Sequence, residues 1–430
     1  MRFPFAVGLV TVLSCTHAPA LRVDGVDAST LRAEGPAGLE KALRALDRTT
    51  DPAERARLID VVTKVAGQKD AHVSRLYWYE DLDAALKVAK ETGKPVLSLR
   101  MLGRLDEELS CANSRFFRTT LYANSDVSKY LRQHFVLHWS SERPVPVVSI
   151  DFGDGRKVTR TITGNSVHYV LDSQGRVVDA LPGLYGAQTF VAALQRAEPI
   201  AKDSGRSDAR RHAELMDNWH SLELAQSLER YQQDLKAAGI KQVSFTLPTL
   251  PGLKISNVWP SSREAVPMAM PKAMVEMPMV KQLVPDGGAR APVDPTPWER
   301  VASVRAREAK LDASSRAVVL SKNPVDVTSA QAPTLSPELS EQMIARLEES
   351  IATDTARNEY ALHAVIHRWL SENAETPLED FNREVYARLF LTPATDPWLG
   401  LIPALTWTGL PNDGIVIAKD PRMGITRAAR

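Results

Sequence analysis

Hydrophobic positions recur at helical spacing near the start of the chain. Leu39, Leu43 and Leu46 lie three or four residues apart, which predicts an amphipathic helix. Asp51-Pro52 then supplies the residue types that commonly begin a second helix. We expect residues 21–75 to form an N-terminal helical segment.

Short apolar runs alternate with helix-spaced segments between residues 76 and 200. The runs 95–99 and 135–139 read as buried strands, and the segments 82–92 and 114–132 read as helices. Hairpins are predicted where Phe152-Gly153-Asp154-Gly155 and Asp172-Ser173-Gln174-Gly175 each separate two strand patterns. This alternation predicts an α/β domain with a mixed central sheet flanked by helices.

The remaining residues change to a mainly helical pattern. Residues 201–245 favour one long polar helix, and residues 246–297 are too rich in proline for a long helix or a central strand, which indicates a Pro/Met-rich linker. Thr296-Pro297, Ser336-Pro337 and Thr376-Pro377 are typical helix starts. We expect residues 298–430 to form a C-terminal α-helical domain.

The N-terminus has the pattern of an export signal. Arg2 precedes an apolar run that is too short to span a bilayer, so residues 1–20 are interpreted as a signal peptide. Val12-Leu13-Ser14-Cys15 is similar to a bacterial lipobox, in which Cys15 would receive a lipid anchor. Cleavage after Ala18-Pro19-Ala20 would instead release a soluble periplasmic or secreted protein. We expect a cell-envelope lipoprotein, with outer-membrane sorting facing the periplasm as the default because Thr16 is not Asp.

Composition narrows the function classes. The chain has 430 residues, with 53 Lys+Arg against 52 Asp+Glu, so it has no basic excess for binding nucleic acid. Two cysteines, Cys15 and Cys111, cannot form a disulfide scaffold. No Gly-rich phosphate loop or Gly-x-Ser-x-Gly motif occurs. We therefore expect no cofactor and no nucleic-acid partner.

The segment 76–200 resembles the thioredoxin-like family. Glu91-Thr92-Gly93-Lys94-Pro95 is similar to the stretch before the family's central strand, and Tyr169–Val178 is similar to its closing hairpin. Cys111-Ala112-Asn113-Ser114 lies where the family carries Cys-x-x-Cys, so Ser114 replaces the second cysteine. Ser166 occupies the place where the family usually has a cis-proline. The resemblance implies a degenerate redox site that lacks an intramolecular resolving thiol. It also implies a protein partner, or a protein substrate that carries a thiol or disulfide.

Two functions are open for this site. In the first, Cys111 is a helix-start thiolate that forms a mixed disulfide, with Ser114 as a hydrogen-bond donor and an outside thiol completing an oxidoreductase or isomerase-like cycle. In the second, Cys111 is a buried apolar residue, and the domain is a redox-silent protein-binding module derived from the same fold. The first function predicts an accessible, acidic thiol, and the second predicts that the thiol is dispensable for partner capture. The oligomeric state is left open.

Two further groups of side chains suggest metals. Met268, Met270, Met277 and Met279 belong to a methionine-rich stretch, and thioether sulfur selects Cu(I), so copper binding or delivery is an alternative function. Glu359, His363 and His367 share one helical face at metal-ligand spacing. For these three residues we expect a solvated polar stripe on an amphipathic helix.

Overall fold

The structure is a computed structural model that describes residues 22–23, 25–162, 164–240, 297–326, 334–399, 409–411 and 415. Nine strands are present in this part of the chain. They are β1 (Arg22–Val23), β2 (Val26–Asp27), β3 (Trp78–Tyr79), β4 (Val96–Leu102), β5 (Val136–Arg143), β6 (Val147–Asp151), β7 (Lys157–Thr161), β8 (Ser166–Leu171) and β9 (Val177–Pro182).

The helices of the first half surround these strands. They are α1 (Ala28–Ala33), α2 (Pro36–Arg48), α3 (Pro52–Ala66), α4 (Ala71–Ser74), α5 (Leu82–Thr92), α6 (Ala112–Phe116), α7 (Ser125–His134), α8 (Ala187–Gly205) and α9 (Ala209–Ala237). A π-helical turn, Phe117–Leu121, continues α6. The expected single helix over 114–132 is therefore wrong. Asn124 accepts hydrogen bonds from the amides of Asp126 and Val127, which starts α7 as a new helix.

The described residues from 297 onward, called the second half below, are mainly helical, as their sequence predicts. Its helices are α10 (Pro297–Val304), α11 (Ala313–Ser321), α12 (Pro337–Arg357), α13 (Ala364–Glu372) and α14 (Leu378–Glu384). A 3₁₀ turn (Ala306–Ala309) precedes α11, and π-helical turns follow α12 (Asn358–His363) and α14 (Val385–Leu389). Proline begins α10 and α12 as expected, and α14 starts directly after Pro377.

The central sheet has five strands in the order β3-β5-β4-β8-β9. Both β3 and β4 run parallel to β5, whereas β8 is antiparallel to β4 and β9 is antiparallel to β8. Every residue of β4, β8 and β9 is buried, so these three strands are covered on both faces. The expectation of a mixed α/β sheet followed by a mainly helical part is confirmed.

Helices from distant parts of the chain cover the two faces of this sheet. His168 of β8 lies between Phe117 and Phe190, with ring centroids 4.6 and 5.0 Å away. Its neighbour Tyr169 points to the opposite face, because side chains alternate along a strand, and there its hydroxyl donates to Asn382 Oδ1 of α14 at 3.0 Å. Helix α14 thus covers the face opposite Phe117 and Phe190.

One hydrophobic core joins the sheet to the helices of the second half. This cluster runs from Leu76 to Leu399 and includes residues of β4, α8, α9, α12, α13 and α14. Phe381 of α14 is a central contact, with its ring stacked on Trp369 at 3.9 Å and set edge-on to Tyr169 at 5.7 Å. A second cluster, from Val23 to Ala71, holds the N-terminal helices together.

The hairpin formed by β6 and β7 is a separate two-stranded sheet inserted between β5 and β8. Its turn is the Gly-Asp-Gly sequence expected for a hairpin, and Gly153 and Gly155 both have positive φ. Phe152 at the tip is 51% exposed. The hairpin therefore projects from the sheet instead of extending it.

Candidate functional site around Cys111

Cys111 directly precedes α6 at the end of a loop that leaves β4. Its amide donates to the carbonyl of Leu102 at 3.2 Å, and its own carbonyl accepts from the amide of Arg115 at 3.1 Å in the first helical turn. The residue is fully buried, with 0% exposure. The sulfur thus lies where a helix begins, as expected, but inside the core.

The loop before Cys111 is fixed by a glycine. Gly103 has φ +75°, and a Cβ at this position would lie 3.0 Å from Val145 Cγ1 and 3.3 Å from Ser110 Cα. Glycine is required both for the backbone conformation and for this close approach. A larger residue at this position would therefore have to displace Val145 or the backbone of Ser110, next to the thiol.

Ser114 is bonded to oxygen atoms of its own helical turn. Its hydroxyl lies 2.6 Å from Ser110 Oγ and 2.9 Å from the carbonyl oxygen of Cys111. A hydroxyl carries one hydrogen, so these acceptors compete with any donation to sulfur. The residue is buried, so its hydroxyl does not face an open site.

Ser166 lies at the same end of the sheet as Cys111. It pairs with Met101 of β4, the residue before Leu102, and its carbonyl accepts from Gly183 at 2.8 Å. The Asn113 side chain of α6 donates to the carbonyl of Gly164, in the loop that leads into Ser166. The structure thus places Ser166 at the end of the sheet where Cys111 and Ser114 lie. All peptide bonds in the described residues are trans, and the Ser166 hydroxyl has no hydrogen-bond partner among those residues.

Two arginines lie beside the thiol, and each is bonded to oxygens of the protein. Two nitrogens of Arg118, Nε and Nη1, have no hydrogen-bond partner among the described residues. Arg115 donates to the Ser110 carbonyl at 3.2 Å and to Thr161 Oγ1 at 3.0 Å. Arg118 donates to the carbonyl of Glu108 at 3.2 Å and lies 3.6 Å from a carboxylate oxygen of Asp70. Burial lowers the pKa of both guanidinium groups, and for Arg118 the Asp70 carboxylate opposes this effect. The two guanidinium groups thus link the segment before Cys111 to Thr161 and to Asp70.

Residues of the second half close this end of the sheet. Thr392 Oγ1 accepts from the Asn165 side chain at 2.8 Å, and the Tyr386 hydroxyl donates to the Asn165 carbonyl at 3.3 Å. On another side, Ser315 of α11 donates to the carbonyl of Thr120 at 3.0 Å, in the π-helical turn after α6. A substrate approaching Cys111 would have to displace parts of the same chain.

The histidine pair of the second half is buried as well. His363 and His367 are 3% and 2% exposed, so the expected solvated stripe is wrong. They lie against Asp179 of β9, which sequence reasoning did not select, and against His220 of α9. No spacing along the chain could have found these two residues, because His220 lies 147 positions before His367.

Several sequence predictions lie outside the described residues. These are Cys15 as the lipidated residue and Met268, Met270, Met277 and Met279 as copper ligands. Among the described residues, no helix is long and apolar enough to cross a membrane.

A search of protein-family models, curated proteins and solved structures found no match for this chain. The geometry of the site therefore carries the functional argument.

Proposed function

We propose that the chain is a thioredoxin-like protein whose thiol is redox-silent and whose function is to bind a protein partner. The strand order β3-β5-β4-β8-β9, with only β8 reversed, supports the fold resemblance, as does a cysteine at the helix start after β4. The single observation that carries the functional half is the complete burial of Cys111. A nucleophilic thiol must reach a disulfide, and this one is covered by the chain's own residues.

The burial of Cys111 favours the silent function over monothiol exchange. A thiolate in the core would cost free energy unless charges and hydrogen bonds stabilised it. The nearby Arg115 donates to the Ser110 carbonyl and to Thr161, and Arg118 donates to the Glu108 carbonyl and lies near the Asp70 carboxylate. The sulfur instead packs in the hydrophobic cluster that includes Leu102 and Phe117. In this setting cysteine acts as a small apolar side chain.

The test is the alkylation rate of Cys111 in the native chain, followed by peptide mapping so that Cys15 does not contribute. We expect labelling to be at least about 1,000-fold slower than in the urea-unfolded chain at both pH 7 and pH 9, since exposure would require unfolding that costs about 5 kcal/mol or more. Fast native labelling with a midpoint below the ordinary thiol pKa of about 8.5 would refute the proposal and establish monothiol chemistry.

Partner binding has its own control. The variant Cys111→Ala should cross-link to the same envelope proteins as the natural chain, with the same yield. Loss of one cross-linked species only in this variant would show that the thiol takes part in binding.

We also propose that the protein is exported and lipid-anchored in the cell envelope. The support is the sequence of residues 1–15, with one basic residue, an apolar run and Cys15. Metabolic labelling with a fatty acid, comparing the natural chain with Cys15→Ser, tests this proposal. A label retained by Cys15→Ser, or absent from the natural chain, would contradict it. Copper binding by the methionine stretch stays a prediction.

A further inference from the structure

A carboxylate and three imidazoles meet in the core between the sheet and the second-half helices. Asp179 comes from β9, His220 from α9, His363 from the π-helical turn after α12, and His367 from α13. All four residues are buried, with exposures of 0 to 3%. Buried polar groups are costly unless they are paired, so this cluster requires a physical explanation.

The polar atoms of the cluster point at one another. Asp179 Oδ1 lies 2.8 Å from His363 Nε2, and His220 Nδ1 lies 2.8 Å from His367 Nδ1. The rings of His363 and His367 are 4.0 Å apart. One ligand atom from each of Asp179, His363 and His367 can be chosen so that all three lie within 4.8 Å of one another.

His220 already has the tautomer of a metal ligand. Its Nε2 lies 3.0 Å from the carbonyl oxygen of Val178 and therefore carries the proton, which leaves the Nδ1 lone pair directed at the cluster, where it accepts a hydrogen bond from His367 Nδ1. Histidine ligands commonly donate their other N–H to a backbone carbonyl in this way. When a metal binds, His363 and His367 would carry their protons on the ring nitrogen that faces away from it.

The residue types are also those of a ligand set. Imidazole nitrogens and a carboxylate oxygen are common zinc ligands, and here they converge from four separate elements of the fold.

We propose that Asp179, His220, His363 and His367 form a structural zinc site that ties the second-half helices to the edge strand of the sheet. Three nitrogens and one oxygen are a ligand set for a closed tetrahedral site, and imidazole with carboxylate suits Zn²⁺, whereas Cu(I) prefers sulfur. His220 is not among the three residues whose ligand atoms lie within 4.8 Å of one another, so its Nδ1 would move toward the other three when zinc binds. Zinc bonds are about 2.1 Å long. To form them, the two atom pairs that now lie 2.8 Å apart would separate slightly, and the two pairs would move closer to each other. The site is independent of the silent thiol and of the methionine stretch.

The test uses the full chain, purified without a polyhistidine tag, unfolded with chelator and refolded in micromolar Zn²⁺ or Co²⁺. We expect one metal per chain after desalting, visible Co²⁺ bands of a tetrahedral complex, and an unfolding constant lowered about 100-fold when free zinc is 100 times Kd. A natural chain that holds no metal, or that needs millimolar zinc, would overturn the site.

Variants separate ligation from folding. Asp179→Asn and His367→Gln should each lose the bound zinc and the cobalt bands. His138→Gln is the matched control, because His138 is another buried histidine, bonded to Ser98 Oγ at 2.8 Å, and this variant should bind zinc normally. Zinc retained equally in all three variants would overturn the assignment. If both ligand variants fail to fold, the cobalt spectrum of the natural chain decides alone.

Discussion

Replacing Phe381 with alanine tests whether α14 and the sheet unfold as one unit. The Phe381 ring is 2% exposed, stacks on Trp369 at 3.9 Å and meets Tyr169 of β8 edge-on at 5.7 Å. Truncating a buried phenylalanine to alanine lowers the free energy of unfolding by about 3–5 kcal/mol. Because the ring contacts both Trp369 in a helix and Tyr169 in a strand, we expect the helices and the sheet to show the same loss in free energy of unfolding.

Two controls divide this loss into its parts. Phe381→Leu keeps most of the apolar contact but loses the ring stacking, so we expect a cost of about 1 kcal/mol. Phe152→Ala removes a half-exposed ring at the tip of the β6–β7 hairpin, and we expect a change below about 1 kcal/mol.

The assay follows urea unfolding with two probes. Far-UV circular dichroism reports the helices, and pulsed alkylation of Cys111 reports the sheet. In Phe381→Ala both midpoints should move down together. A helix transition that moves while the Cys111 transition stays in place would refute the shared core, and so would a cost equal to that of Phe152→Ala.

Three further predictions concern buried charge and the loop before Cys111. Burial, aided by Arg100, lowers the pKa of His138 to about 4, so between pH 4 and 6.5 the unfolded state binds the additional proton and stability rises with pH. Between pH 7 and pH 5 this group should lower the free energy of unfolding by about 2 kcal/mol. In His138→Gln, the drop in the free energy of unfolding over the same pH range should be smaller by that amount. Gly103→Ala should lower the free energy of unfolding by about 1–3 kcal/mol, because of the positive φ and the contact with Val145. Gly93→Ala, at φ +69° with open space around it, should show only the cost of the backbone conformation. Urea unfolding measures both. Glu379→Gln should lower the free energy of unfolding by only about 1 kcal/mol, because Glu379, the partner of buried Arg100, is itself mostly exposed to solvent. Addition of 1 M salt should reduce this difference.

Each of these expectations has a contrary outcome. Equal pH dependence in His138→Gln and the natural chain would mean that His138 is not held neutral by the fold. Equal costs for the two glycine variants would contradict the close approach of Val145. A loss in Glu379→Gln that does not change with salt would show that the interaction with Arg100 is not mainly ionic.

Local patterns predicted much of the sheet and its helix starts. The apolar run at 95–99 became the buried strand β4, and the glycines at 153 and 155 formed the hairpin turn. The break between α6 and α7 was missed because helical spacing continues through it. The cap formed by Asn124 with Asp126 was the local signal that could have found it.

The tertiary contacts could not be predicted in this way. Arg100 lies in an apolar strand, and its partner Glu379 is 279 positions later, so nothing in the local sequence announces the pair. The burial of Cys111 has the same cause, since residues such as Tyr386 and Thr392 cover its end of the sheet. A pattern that marks a helix start says nothing about what later packs over it.

The dependence of the sheet on α14 has a consequence for folding. Strand β9 ends at residue 182, almost two hundred residues before α14 begins at Leu378. In a chain that emerges N-terminus first, from a ribosome or from an export channel, the part of the sheet face that α14 covers stays exposed over this interval, and contacts this distant in sequence form slowly. Chaperones bind exposed apolar surface of this kind, and they can act until α14 has emerged.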